Sequence, residues 1–185
     1  MQTMTIRSIL VLLAFTVSLY SVPSAEAASK TEINAKVSAT MTTFYSTIKS
    51  GKELAGKAVG ILVFPEVYKA GFGVGGEYGE GALLEGGKTT GYYNTAAASI
   101  GFQIGAQVKS QVIMFMTSDA LKAFKASDGW KAGVDGSVVL VTIGAGGDID
   151  TDNIKDPIIG FIFSNKGLMY NLTFEGSKIT KLDKK

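Results

Sequence analysis

The chain has no cysteine and no histidine among its 185 residues, and only 3 prolines. Without cysteine no disulfide can form, so packing alone must hold the fold. Without either residue the Ser-His-Asp and Cys-His nucleophile systems cannot be assembled, and zinc sites built on thiolate or imidazole are excluded with them. An excess of one charge sign is lacking too: 18 Lys and Arg stand against 16 Asp and Glu, a formal net charge of +2, which gives no electrostatic footprint for nucleic acid. No repeat of fixed period is present, and strand does not alternate with long helix after residue 58. Solenoids, propellers and parallel dinucleotide-binding sheets are therefore not expected.

Glycine, by contrast, is abundant at 23 residues, and its placement carries the most information. Between Val67 and Leu84 it recurs at Gly71, Gly73, Gly75, Gly79 and Gly81. An extended chain sends odd positions to one face, so that face is nearly free of side chains and open to close approach by a backbone, a helix or a ligand. Gly91, Gly101 and Gly105 repeat the spacing further on. The pattern asks for a tightly packed cover.

Residues 1–27 read separately. Arg7 precedes an apolar run from Ile9 to Leu19, and Ala25-Glu26-Ala27 supplies a small-x-small cleavage pattern, so this segment is expected to be a secretory signal peptide cut after Ala27. The expectation is export to the periplasm or cell envelope, with residues 28–185 forming a single domain. No cysteine follows the run to accept a lipid.

Ser29 and Glu32 read as a capping box, and Ile33, Val37, Met41, Phe44 and Ile48 then recur at helical steps until Gly51. A short second helix is expected around Lys52–Ala55. Strands are expected at Val59–Phe64, stopped by Pro65, and at Val67–Leu84, with hairpin chemistry at Glu85-Gly86-Gly87-Lys88. Further strands are expected at Thr89–Thr95, Ser99–Gln107 and Gln111–Met116. Thr117 should cap a helix carrying Leu121 and Phe124. Later strands fall at Trp130–Ala132, Ser137–Ile143, Ile158–Phe163 and Leu168–Phe174, and a lysine-rich tail follows from Ser177 to Lys185. The class is α+β: an amphipathic amino-terminal helix packed on a glycine-rich, mainly antiparallel or barrel-like sheet.

Motifs with chemical meaning are few. Ser46 and Lys49 match an S-x-x-K pattern, but the partner motifs follow in the wrong order, so both read as solvated helix positions. Gly71–Gly76 satisfies G-x-G-x-x-G without opening a helix, which a phosphate-binding turn requires. Asp148, Asp150 and Asp152 alternate as a weak calcium candidate, but the EF-hand glycine and glutamate positions hold Asn153 and Ile159. A solvated acidic loop is the simpler reading, and no metal or other cofactor is expected.

Taken in order, the segments Ala58–Leu62, Lys69–Phe72, Ser99–Gln107, Phe115–Phe124 and Lys166–Ser177 resemble the SYLF domain family of lipid-binding and actin-regulating modules, over nearly all of residues 30–180. The resemblance implies a non-enzymatic domain that binds phospholipid, of anionic or phosphoinositide type, at a membrane surface through the first helix and nearby basic residues. On this chain those residues are Lys36, Lys49, Lys52, Lys57, Lys69 and Lys88. Actin, a partner of some members, is not expected for an exported protein. The alternative is a structural or partner-binding envelope protein that uses the glycine surface. The sequence leaves open whether the first helix docks on the sheet or on the membrane.

Overall fold

Ser29 opens the first helix, α1 (Lys30–Thr47), by accepting a hydrogen bond from the Glu32 backbone N–H at 3.2 Å. The computed structural model describes residues 28–141, 155–164, 167–168, 174 and 176–184, with backbone alone at 71–74, 99–106 and 167–168. Glu32 does not complete the capping box with its carboxylate, which pairs instead with Lys36 one turn on, at 2.9 Å. Ile33, Val37, Met41 and Phe44 form the expected stripe and are all buried, as is Ile48 just past the helix. A second helix, α2 (Gly51–Lys57), follows and buries Leu54.

The chain then makes two very long strands, β1 (Gly60–Glu85) and β2 (Lys88–Phe115), joined by Gly86 and Gly87 at φ +57° and +77°. Positive φ at both central residues is the type I′ hairpin turn, which glycine adopts without steric cost. The separate strands expected from the sequence are merged. Pro65 does not stop β1, because it falls in a register shift between Phe64 and Val67 where no ladder N–H is required of it. Its carbonyl accepts from Ser110 Oγ at 2.7 Å. Likewise β2 absorbs three expected strands, with register shifts opposite Gly71–Gly73 and Leu83–Leu84.

A strand of 26 residues would reach about 85 Å if straight, against a radius of gyration of roughly 15 Å for a domain this size. The two-stranded ribbon must therefore fold over. The fold brings the end of β1 back onto its beginning: an ideal Cβ on Gly79 would stand 2.6 Å from the Glu66 carbonyl oxygen and 3.1 Å from the Val67 Cα, and one on Gly81 would collide with the Val63 carbonyl. The cover demanded by the glycine face is thus the other arm of the same ribbon.

After β2 come α3 (Ser118–Ala126), capped by Thr117 as expected, and β3 (Trp130–Lys131), β4 (Val139–Leu140), β5 (Ile158–Ser164), β6 (Gly167–Leu168) and β7 (Lys178–Leu182). Among the described residues, β1 to β7 form a seven-stranded, mostly antiparallel sheet. Opposite its edge on β1, β2 pairs with β7 at Tyr92–Ala96 and with β5 at Ser110–Phe115; β4 joins β5 in parallel. The carboxy-terminal segment is therefore not a free tail. Of the strand expected at Ser137–Ile143, Val139–Leu140 forms.

Alternation along the strands divides the core by sheet face. Ile61, Val63, Val112, Met114, Ile159, Phe161 and Phe163 pack against α1 and Leu54 of α2. Leu62, Phe64, Ile113, Phe115 and Ile162 pack on the opposite side against Leu121 and Phe124 of α3, Trp130 and Ile179. The first helix is docked on the sheet, with its apolar face spent in the core.

Candidate functional site

The folded ribbon has an inner and an outer surface of different chemistry. Residues at matched distances from the bend meet on the inner side. Val67 lies against Gly79, and two residues further toward the bend Lys69 Nζ stands 3.5 Å from Glu77 Oε1. Glu77 Oε2 also receives Lys109 Nζ at 2.6 Å, and the Lys109 side chain is only 4% exposed. Two ammonium groups thus share one carboxylate beneath the glycines. Toward the bend the ladder sets glycine against glycine, Gly71 opposite Gly105 and Gly73 opposite Gly101. The G-x-G-x-x-G stretch is therefore strand and opens no helix.

The outer surface is uncharged at its exposed described positions: Tyr68, Ala70, Gly76, Tyr78, Ala96, Ala98 and Val108. Tyr68 and Val108 are cross-strand partners, as are Tyr78 and Ala96. The tyrosines are 52% and 48% exposed, making this the part of the described surface where large apolar side chains gather. Each hydroxyl is anchored: Tyr68 donates to Glu66 at 3.1 Å and Tyr78 to Glu80 at 3.0 Å. Each carboxylate in turn holds a lysine, Glu66 holding Lys36 at 2.9 Å and Glu80 holding Lys184 at 2.8 Å. Between these two arrays and the start of α1 lies a groove of about 310 Å³, floored by Ala28, Ile33, Pro65 and Gly79.

The titration of these groups follows from the pairing. The bond from Lys36 holds the Glu66 carboxyl below its ordinary range, and the Glu66 acceptor raises the Tyr68 hydroxyl above its own. Burial, and then the bond to Glu80, raises Tyr78. A carboxyl depressed in the folded state adds stability that is present above its unfolded pKa and is lost as pH falls through the folded one. The Glu66–Lys36 tie between β1 and α1 should therefore weaken on acidification. Urea midpoints of wild type and Glu66→Gln are expected to differ at neutral pH and to converge below the usual carboxylate range; a gap independent of pH would contradict this.

The structure distributes the sequence-predicted lysines over several elements. Lys36 lies on α1 between Glu32 and Glu66, and Lys69 lies inside the ribbon fold on Glu77. Lys57 pairs with Glu53 on α2 at 2.8 Å. Lys49 is in the turn between the helices, Lys52 is exposed on α2, and Lys88 is exposed at the start of β2. Lys52 shares a groove with Tyr45, Leu84 and the Gly86–Gly87 turn, at the opposite end of α1 from the tyrosines. Lys184 sits against Glu80 and the Ala28 carbonyl, each at 2.8 Å. Ser46 Oγ donates to the Thr43 carbonyl at 2.8 Å, an ordinary helix-surface bond. Asp148, Asp150 and Asp152 lie outside the described residues.

Sequence reasoning missed the two tyrosines and Lys109. The even-numbered positions that alternate with the glycines were the available signal for the tyrosines. Nothing local marks Lys109, whose burial depends on a carboxylate from the other arm. No described helix is long and apolar enough to cross a membrane.

One protein-family model matches the chain, over residues 96–185; it is described as Las17-binding protein actin regulator, Ysc84. The matched segment begins in the first half of β2, at Ala96, and contains Lys109 and every later element, whereas α1, α2 and β1 precede it. No curated protein matches the chain.

Proposed function

We propose, from the match of residues 96–185 to the Ysc84 (SYLF) family model, that the protein is a non-enzymatic lipid-binding module that works at an anionic membrane surface of the cell envelope after export. The family is associated with lipid binding and actin regulation. Actin is left out of the proposal because export would separate the two. The observation that carries the reading is the uncharged outer face of the folded ribbon, edged by Tyr68 and Tyr78. Tyrosine suits the boundary between headgroups and acyl chains, where its ring is apolar and its hydroxyl remains bonded. Basic residues at the α1–α2 corner, Lys49, Lys52 and Lys57, supply the second part of the contact, at about 1 kcal/mol per lysine held near an anionic surface.

Flotation with vesicles containing phosphatidylglycerol tests this on the protein as isolated from the expressing cell, whose amino terminus read by mass spectrometry also tests cleavage after Ala27. Wild type is expected to float at low salt. Tyr68→Ser with Tyr78→Ser should reduce bound protein at least about fivefold by removing apolar contact area. Lys49, Lys52 and Lys57 changed together to Glu should abolish the salt-sensitive part. No flotation of wild type would sink the proposal. If the tyrosine variant instead altered the oligomeric state and left vesicle binding intact, the outer face would be a protein interface and the structural-partner reading would take its place.

A further inference from the structure

Among the described residues, Gln111 is the buried side chain whose polar atoms have no hydrogen-bond partner. It is 1% exposed, and neither its Nε2 nor its Oε1 has a hydrogen-bond partner. Buried amides are nearly always satisfied, so an orphan one points to a group that joins it. Gln111 lies two residues along β2 from Lys109, on the same strand face as Ile113 and Phe115. Lys109 and Lys69 share the single carboxylate of Glu77, at 2.6 and 3.5 Å. The inner side of the ribbon therefore holds two lysines on one carboxylate and, two residues along the same strand face from Lys109, an unpaired amide.

We propose that this inner corner binds a phosphate group. A water molecule would serve the amide and leave two lysines on one carboxylate, and a cation would be repelled. An ionised carboxylate would accept from Nε2 but has nothing to give Oε1. A singly protonated phosphate answers all three demands: its oxygens accept from Gln111 Nε2 and take the charge of Lys109 and Lys69, and its P–OH donates to Gln111 Oε1. Lys69, with 26% of its side chain exposed, is the most exposed of the three charged groups. The site is on the face of the ribbon opposite the tyrosines, so it goes beyond the membrane contact and does not depend on it. The phosphate can be free or the phosphomonoester of a lipid headgroup.

Thermal melts at constant ionic strength test this with two probes, inorganic phosphate and dihexanoyl phosphatidic acid, with chloride as control. Wild type is expected to gain melting temperature with at least one probe. A shift with both identifies the free anion as sufficient, and a shift with the lipid alone identifies the headgroup. Gln111→Met, of similar volume and needing no partner, should melt higher than wild type without ligand and bind at least roughly tenfold more weakly. Lys69→Gln, at the most exposed of the charged groups, should also weaken binding and serves if the first variant folds poorly. No shift in wild type with either probe overturns the proposal. So does a Gln111→Met protein that binds undiminished, or one that melts lower than a phosphate-insensitive wild type, which would assign the amide to a bound water. Vesicle flotation is scored separately, so either reading can fail alone.

Discussion

Gly81→Ala is expected to destabilise the protein by about 3 kcal/mol or more, an unusually large penalty for adding one methyl group. The new Cβ would be driven into the Val63 carbonyl, with the Phe64 ring at 2.7 Å on the other side. A backbone carbonyl cannot rotate away as a side chain would, so the two arms of β1 must separate or the strand must shift. Gly79→Ala meets the Glu66 carbonyl at 2.6 Å and the Val67 Cα at 3.1 Å, and should cost somewhat less. Strand propensity alone predicts the opposite sign for both. Gly56→Ala is the control: it lies in α2 with nothing within 4 Å of the added atom, and should stabilise by about 0.5–1 kcal/mol. Chemical denaturation of the three variants decides the matter. If Gly81→Ala unfolds with wild type, β1 does not fold back on itself as described.

Phe44→Ala should cost about 3–5 kcal/mol. Phe44 is 0% exposed, and its ring packs edge-on against Phe161 with centroids 4.9 Å apart and against Phe163 at 5.9 Å. Truncation would leave a cavity bounded by α1 and by β5, a strand held on both edges by β2 and β4 and poorly placed to collapse. The same variant tests whether the first helix exchanges between sheet and membrane. A helix that leaves the sheet easily contributes little to folding, so a loss below about 1 kcal/mol together with reduced vesicle binding would favour exchange. A full loss of stability with vesicle binding retained under native conditions would assign the membrane contact elsewhere.

The parts legible in the sequence were those governed by short-range geometry. The 3.6-residue period marked α1 and its buried stripe, and Thr117 marked the start of α3. Glu85-Gly86-Gly87-Lys88 marked the hairpin because only glycine adopts two successive positive φ angles at no cost. The composition removed thiol and imidazole chemistry outright. Pro65 misled, because a proline ends a strand only where the ladder needs its N–H, and a register shift removes that need. The lysines were legible as charges but their partners were not: Lys36 stands against Glu66 and Lys69 against Glu77, pairings that only the docking of α1 and the bend of the ribbon create.

What the chain determined alone was a side-chain-poor face that had to be covered, an amphipathic helix that had to be docked, and a set of reactions it could not perform. What covers the glycines was decided only in three dimensions. The bend of the ribbon, its register shifts and the docking of α1 and α3 on opposite sheet faces together bring Gly81 to Val63 and Glu77 to Lys109. Periodicity records which face a residue occupies within its own strand. It carries no record of which distant backbone or charge will meet that face, because that contact is a property of the whole fold's closure and of no local segment.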